Sequence, residues 1–312
     1  MRVISAPAQL DERHFDSLVE GLGQEPYGRV LIDARHVRWV DPFGMIALLA
    51  IGKVALRSGE TPVLKLPDDA DVVSYLARMN FFEEAETIFE LHGTRKKRGE
   101  GGGSDVLLEI TPVREYADVH EVVNRVNERG VNILTTQLHY PRTQALRFST
   151  LISEVCQNIV DHADAGGWVA TQSYTWQKRL GGRRVVVIAV MDLGVGFRSS
   201  LSSAHASRFA DRWTDAMALE QAFMHGLNRF HDVHRGQGLQ QIRKNAGRWS
   251  GRVSIRSGTA RITEVPDWDE SAPLEEGLPQ FPGSQIGIVL PARVEEQAAA
   301  VPASTGREGA RR

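Results

Sequence analysis

Cysteine is nearly absent from this chain. Cys156 stands alone among 312 residues, so no internal disulfide can form and a small disulfide-built scaffold is excluded. Long apolar runs are absent as well. The longest uncharged and wholly apolar stretch, Pro42 to Gly52 between Asp41 and Lys53, has eleven residues, whereas a helix crossing a bilayer needs roughly twenty. No one sign of charge prevails: 37 lysines and arginines face 39 aspartates and glutamates, a formal net charge of −2, which gives no bulk electrostatic reason to bind nucleic acid. The N-terminal MRVISAPAQLDERHF carries acidic residues where a secretory signal needs a continuous apolar run, so a cytoplasmic protein without membrane contact is expected.

What is present is the composition of a soluble globular chain, 42% apolar and 24% charged, long enough for about two domains. A basic run meets a glycine cluster between Thr94 and Ser104, with no apolar residue in it, and reads as a flexible linker. The stretch from Gln297 to Arg312 has neither periodicity nor apolar mass and reads as a disordered tail. The expected organisation is therefore 1–93, a linker at 94–104, 105–293, and a tail at 294–312. In the first domain, β-rich runs at Arg29–Asp33 and Thr61–Leu66 alternate with helical patterns at Met45–Leu56 and Ala70–Met79, which predicts an α/β layer. In the second, strands are expected at Val106–Ile110, Gly167–Gln177, Arg183–Met191, Gly251–Arg256 and Gln285–Leu290. Helices are expected at Tyr116–Val126, Arg147–Ala163 and Leu239–Arg248, giving an α+β sandwich.

Three short segments have chemistry in them. On a helix through Leu151–His162, the residues Phe148, Leu151, Ile152, Val155, Cys156 and Ile159 form one apolar stripe, and Glu154 and Asn158 lie together on its polar border. A carboxylate there can orient or deprotonate a water, and a carboxamide oxygen suits a hard cation such as Mg²⁺; the plainer alternative is two solvated residues. The strand Arg183–Met191 delivers Asp192 into the turn Asp192-Leu-Gly-Val-Gly196, where glycines let backbone approach a ligand and the carboxylate can accept from an amino group. Arg235-Gly-Gln-Gly-Leu239 opens a helix, a place that favours phosphate, though a simple turn explains it too.

In this order, Glu154 and Asn158, then Asp192-x-Gly194-x-Gly196, then a long polar stretch, then Gly236-x-Gly238 and a closing strand Gly283–Pro291, the region from Val106 to Pro291 resembles the GHKL superfamily of ATP-binding domains. Within that superfamily it is most similar to anti-sigma-factor serine kinases and the ATPase domains of sensor histidine kinases. The resemblance implies ATP and Mg²⁺ as cofactors and a mixed sheet covered by helices on one face. It implies Asn158 as metal ligand, Glu154 as base and Asp192 as acceptor from the adenine amino group. Gly194 and Gly196 would line the adenine side, and Gly236 and Gly238 would cradle phosphates. Arg235 and Lys244 are placed in sequence to reach phosphate, and Asp161 and His162 follow one turn after Asn158.

The segment from Arg29 to Glu84, with Val30-Leu-Ile-Asp33 and the glycine-started apolar run after Asp41, resembles the STAS domains of anti-anti-sigma factors. That family commonly has phosphorylatable serines between the aspartate and the glycine. Here Pro42 and Phe43 stand there, so a docking or regulatory role is expected rather than a phosphoswitch. Together the resemblances imply a protein partner, a STAS-type regulator or a sigma-factor-like protein, and a homodimer is compatible with them. Two functions are weighed: a protein serine/threonine kinase, or a nucleotide-gated interaction switch with little turnover. A histidine autokinase is disfavoured because His120 and His139 lie inside the second domain and no helical phospho-acceptor module precedes it. The stretch Ser199–His234, carrying Arg208, Arg212, Arg229, His231 and His234, is expected to act as a lid, with a short helix at Asp215–Gly226 packing over nucleotide.

Overall fold

Two sheets of different construction share one helix. The computed structural model describes residues 1–23, 28–96, 106–162, 166–209, 212–227 and 238–293. The expected linker beyond Lys96, the expected tail 294–312, and Arg229, His231, His234, Arg235 and Gly236 lie outside the described residues, as do the side chains of Asn158, Asp161, His162 and Arg208.

The first half runs β1 (Arg2–Ser5), β2 (Gln9–Leu10), α1 (Phe15–Leu22), β3 (Val30–Asp33), β4 (Trp39–Val40), α2 (Pro42–Ala55), β5 (Val63–Lys65), α3 (Ala70–Arg78), α4 (Phe81–Ala85) and β6 (Glu90–His92). Helices between successive strands force parallel pairing, and the sheet order is β1-β3-β5-β6 with all three pairings parallel. The elements β1 and α1 were not among those expected. Helix α2 starts where Asp41 caps it, accepting from the Gly44 amide at 2.8 Å, with Pro42 at the first helical turn. Burial pushes the Asp41 carboxyl well above the usual range, and the neighbouring Asp11 and Glu12 add to the rise.

The second half runs β7 (Val106–Val113), α5 (Tyr116–Arg125), a π-helical turn (Val126–Gly130), α6 (Val131–Thr136), α7 (Arg142–His162), β8 (Gly167–Trp176), α8 (Gln177–Leu180), β9 (Arg183–Asp192), α9 (Gly196–Phe209), α10 (Asp215–His225), α11 (Gly238–Arg248), β10 (Arg252–Glu264) and β11 (Leu274–Pro291). The sheet order is β10-β11-β9-β8-β7, and every pairing is antiparallel. A mixed sheet was expected; hairpins join β8 to β9 and β10 to β11, and the longer connections also return the chain antiparallel. Nor is the sheet covered on one face only. On β9, Val186, Ile188 and Val190 point into the cluster beneath α5, α7, α10 and α11, while Ala189 and Met191 point into the opposite cluster, which contains α2. An antiparallel strand with both faces covered reads as a continuous apolar run, as this one does.

Thirteen of the fourteen residues of α2 are buried, Lys53 being the exception. A helix apolar all round needs cover on all sides. Its own half supplies one side, and β8 and β9 supply the other, so the core of the first half runs without a break into Ile110, Trp168, Ala170, Ala189, Met191, Leu193 and Phe281. Polar contacts close the seam: Glu12 pairs with Arg252 at 2.5 Å, Asp16 with Arg256 at 2.7 Å, and the Trp168 indole donates to Glu84 at 2.8 Å. Burial works against ionisation of Glu12, yet the Arg252 guanidinium holds its carboxyl below the ordinary value.

Within the polar stretch after Asp192 the described residues include two helices. Residues 196–209 and 215–225 are helical, and Leu201, Trp213, Leu219, Ala222 and Phe223 are core residues. The expected helix at Asp215–Gly226 is present, but it packs on β10.

Close packing of α2 generates a prediction. A Cβ at Gly52 would sit 2.0 Å from the buried Phe89 ring, so Gly52→Ala should lower unfolding free energy by about 1–3 kcal/mol in urea titrations. With a core continuous across both halves, tryptophan fluorescence and circular dichroism should report one coincident transition. Two separated transitions would contradict the shared core.

Candidate functional site

Helix α7 presents Glu154 at the border of its apolar stripe, of which Phe148, Ile152, Val155, Cys156 and Ile159 are all buried. Glu154 is half-buried, and its Oε2 is buried with no hydrogen-bond partner among the described residues. Burial alone pushes its carboxyl above the usual range. An unpartnered buried carboxylate oxygen is costly, and such groups concentrate where chemistry is done. The buried Cys156 thiol, pushed up to about 12 by burial, is an inert packing group.

The helix start at Gly238 lies directly against this carboxylate. A Cβ built at Gly238 would be 2.5 Å from Glu154 Oε2 and 3.2 Å from its Cδ, so only glycine fits without movement. Helix α11 is held there by Leu239, Ile242 and Ala246, which bury one face. Two motifs more than eighty residues apart in sequence therefore meet. Lys244, on the same helix, is exposed.

One turn beyond Glu154, α7 reaches the end of β9. Ile159, next after Asn158, would lie 3.1 Å from a Cβ at Gly167, and Gly167 is the residue opposite Asp192 in the β8–β9 register. Ile159 of α7 thus packs near the strand end that carries Asp192.

Asp192 is buried, and its carboxylate is clamped. Oδ1 accepts from the Gly194 amide at 2.8 Å; Oδ2 accepts from the Ser284 amide at 3.2 Å and also from the Ser284 hydroxyl. Burial raises its carboxyl, and the Ser284 and Gly194 hydrogen bonds offset part of that rise. A carboxylate offers about four acceptor positions, so three fixed donors orient it and leave room for one more. The glycine before Ser284 is obligatory: Gly283 has φ +73°, and a Cβ there would meet the Asp192 carbonyl at 2.1 Å. Beyond the turn, Gly196 opens α9, and a cavity of about 270 Å³ lies beside it, lined by Gly196, Arg198, Ser199, Asp215, Phe281 and Gly283.

The structure brings Glu154 to Gly238, and Asp192 to Gly194 and Gly196; for Asn158 it gives the backbone position only, and Arg235 and Gly236 are outside the described residues. Ser284 was not anticipated as a site residue. Nothing in the sequence singled it out: only the β11–β9 register, with Gln285 opposite Met191, brings the serine one position earlier to Asp192. Among the described residues, no group of three or more histidine, cysteine, aspartate or glutamate side chains converges.

The unpartnered oxygen yields a pH prediction. Because the folded-state pKa of Glu154 lies above its unfolded value, the folded protein holds the proton more tightly. The cost of ionisation is absent below the unfolded pKa, grows as pH rises through the folded pKa, and is complete above it. Glu154→Gln removes that cost. Its melting temperature should match the unmutated protein near pH 4 and exceed it increasingly toward pH 8; a variant less stable at pH 8 than at pH 4, relative to the parent, would contradict the assignment.

No protein-family model matches this chain, and a search of curated proteins finds no match either.

Proposed function

We propose that the chain is a Mg-ATP-binding regulatory protein of the GHKL type, with a STAS-like N-terminal half, that phosphorylates serine or threonine on a partner regulator in the manner of anti-sigma-factor kinases. The observation that supports this most is the meeting of Glu154 with the glycine start of α11, on the same helix whose Ile159 packs near the strand end that carries Asp192. The residues fit the nucleotide the reading requires. Asp192 has an acceptor position left for an adenine amino group, the start of α11 at Gly238 offers helix-terminal amides that suit phosphate, and the buried Glu154 Oε2 against it has no partner among the described residues. Mg²⁺ is content with one or two protein oxygens plus phosphate and water, and Asn158 on α7 would supply one. Bound there, Mg-ATP supplies the transferable phosphoryl group.

In this reading the chain's own part is positioning and proton transfer. Asp192, held by Ser284 and Gly194, selects the base. Glu154, made more basic by burial, takes the proton from the partner's hydroxyl as it attacks, since a general base works best with a pKa drawn toward the operating pH. The acceptor is placed on a partner in this reading, and Pro42 and Phe43 at the start of α2, buried and without a hydroxyl, are not acceptors.

A second reading, the nucleotide-gated interaction switch, is favoured by one observation. The N-terminal half touches the turn that follows Asp192, where Arg57 donates to the Leu193 carbonyl at 3.3 Å, so nucleotide occupancy is mechanically close to that half.

Incubation with Mg²⁺ and γ-labelled ATP, alone and with STAS-type proteins, separates the two: label moving to a partner's serine supports the kinase, and ATP binding without label transfer supports the switch. Glu154→Ala should keep ATP affinity within about threefold and abolish transfer, since a base acts mainly in the transition state. Asp192→Asn should erase the preference for ATP over GTP; equal affinity of the unmutated protein for both would refute base recognition by Asp192.

A further inference from the structure

Arg256 is one of the largest fully buried side chains in the protein, 1% exposed, and it lies on β10 beside the seam between the two halves. A buried guanidinium is costly unless its donors are met, and a well-packed apolar residue would serve stability as well or better. Its planar fork instead fixes what it touches. Nε donates to Asp16 Oδ1 of α1 at 2.7 Å; Nη1 donates to the Gly258 carbonyl at 3.2 Å and to Gln285 Oε1 at 3.3 Å; Nη2 donates to the Pro279 carbonyl. One face of the fork lies over the Phe15 ring, 5.2 Å from its centre, and Phe15 stacks edge-on against Phe281 at 5.1 Å.

These contacts grip residues 279–285 on both sides of Ser284. Gln285 passes the restraint on by donating to the Pro282 carbonyl at 2.9 Å, and the Ser257 hydroxyl donates to the Gly283 carbonyl at 2.8 Å. Ser284 then makes two of the three hydrogen bonds that aim Asp192. On the other side of Asp192, Leu193 is buried in the core around α2, and its carbonyl accepts from Arg57. Asp16, Phe15 and Arg57 all belong to the N-terminal half.

We infer that Arg256 is a positioning residue for Asp192, and that the N-terminal half, through Asp16 on one side and Arg57 on the other, sets the base affinity and base selectivity of the site. The inference rests on the nucleotide reading above. It makes the N-terminal half a part of the base site.

Asp16→Asn keeps an acceptor for Arg256 but removes the charge that anchors it; Arg57→Ala removes an exposed side chain and leaves the packing of α2 intact. In the full-length protein, isothermal titration with Mg-ATP, Mg-GTP and base-free Mg-tripolyphosphate reads the base-dependent part of binding separately. The expected result is a loss of ATP affinity of about tenfold in Asp16→Asn, a smaller loss in Arg57→Ala, a narrowed ATP-to-GTP preference, and unchanged tripolyphosphate binding. A general structural loss would weaken all three ligands together. The inference is upheld if at least one variant that keeps its circular dichroism spectrum loses ATP affinity selectively. It is overturned if neither does, or if tripolyphosphate binding falls in step with ATP. An unmutated chain that binds no ATP removes the nucleotide reading first and this inference with it, a result that differs from unmutated binding paired with unaltered variants.

Discussion

The packing of α2 between two sheets is the constraint on which the rest of this structure depends. A fourteen-residue helix with a single exposed side chain has no stable place at the surface of a four-stranded parallel layer. By giving its second side to β8 and β9, it fixes the relation of the two halves, covers the face of the antiparallel sheet that the other helices leave open, and brings α1 against β10 and β11. The ion pairs at the seam, Glu12 with Arg252 and Asp16 with Arg256, follow from that placement. Such pairs are weak evidence of net stability, since desolvation offsets much of their attraction, but they are specific about geometry.

Electrostatics divide the candidate site into two kinds of carboxylate. Asp192 is buried and satisfied: three donors fix it, and its direction is determined by the strand register and by Ser284. Glu154 is half-buried, and its Oε2, which faces the glycine backbone at the start of α11, has no partner among the described residues. The first arrangement suits recognition, in which a group must hold still. The second suits reaction, in which a group must be free to take a proton.

Much of this was legible in the sequence, for physical reasons that differ between elements. The stripe of α7, the apolar run of β9 and the glycines flanking Asp192 and Gly238 each express a local rule, and the elements appear within a few residues of their expected limits. Helix α9 was hidden because its serines favour caps and turns over helix interiors; in the fold its Leu201 is buried. The full length of β10 was hidden as well, because the expected strand stopped at Arg256 and Arg261 beyond it looks like a surface residue until Asp16 and Glu275 neutralise it. The sequence declared α2 to be buried without declaring against what, and the second covering sheet lies far along the chain. Ser284 reads as an ordinary strand serine until the register places it opposite Asp192.

That distance has a consequence for the making of the protein. During synthesis α2 is complete about 130 residues before β9, the strand that covers its second side. At ordinary elongation rates this leaves a wholly apolar helix half-covered for on the order of ten seconds. The first half can build its parallel layer in that time, but one broad apolar face stays open to other nascent chains until β8 and β9 arrive. Folding yield should therefore be governed by what shields that face in the interval, and slowing translation between Ala55 and Arg183 would lengthen the exposure rather than help the chain fold.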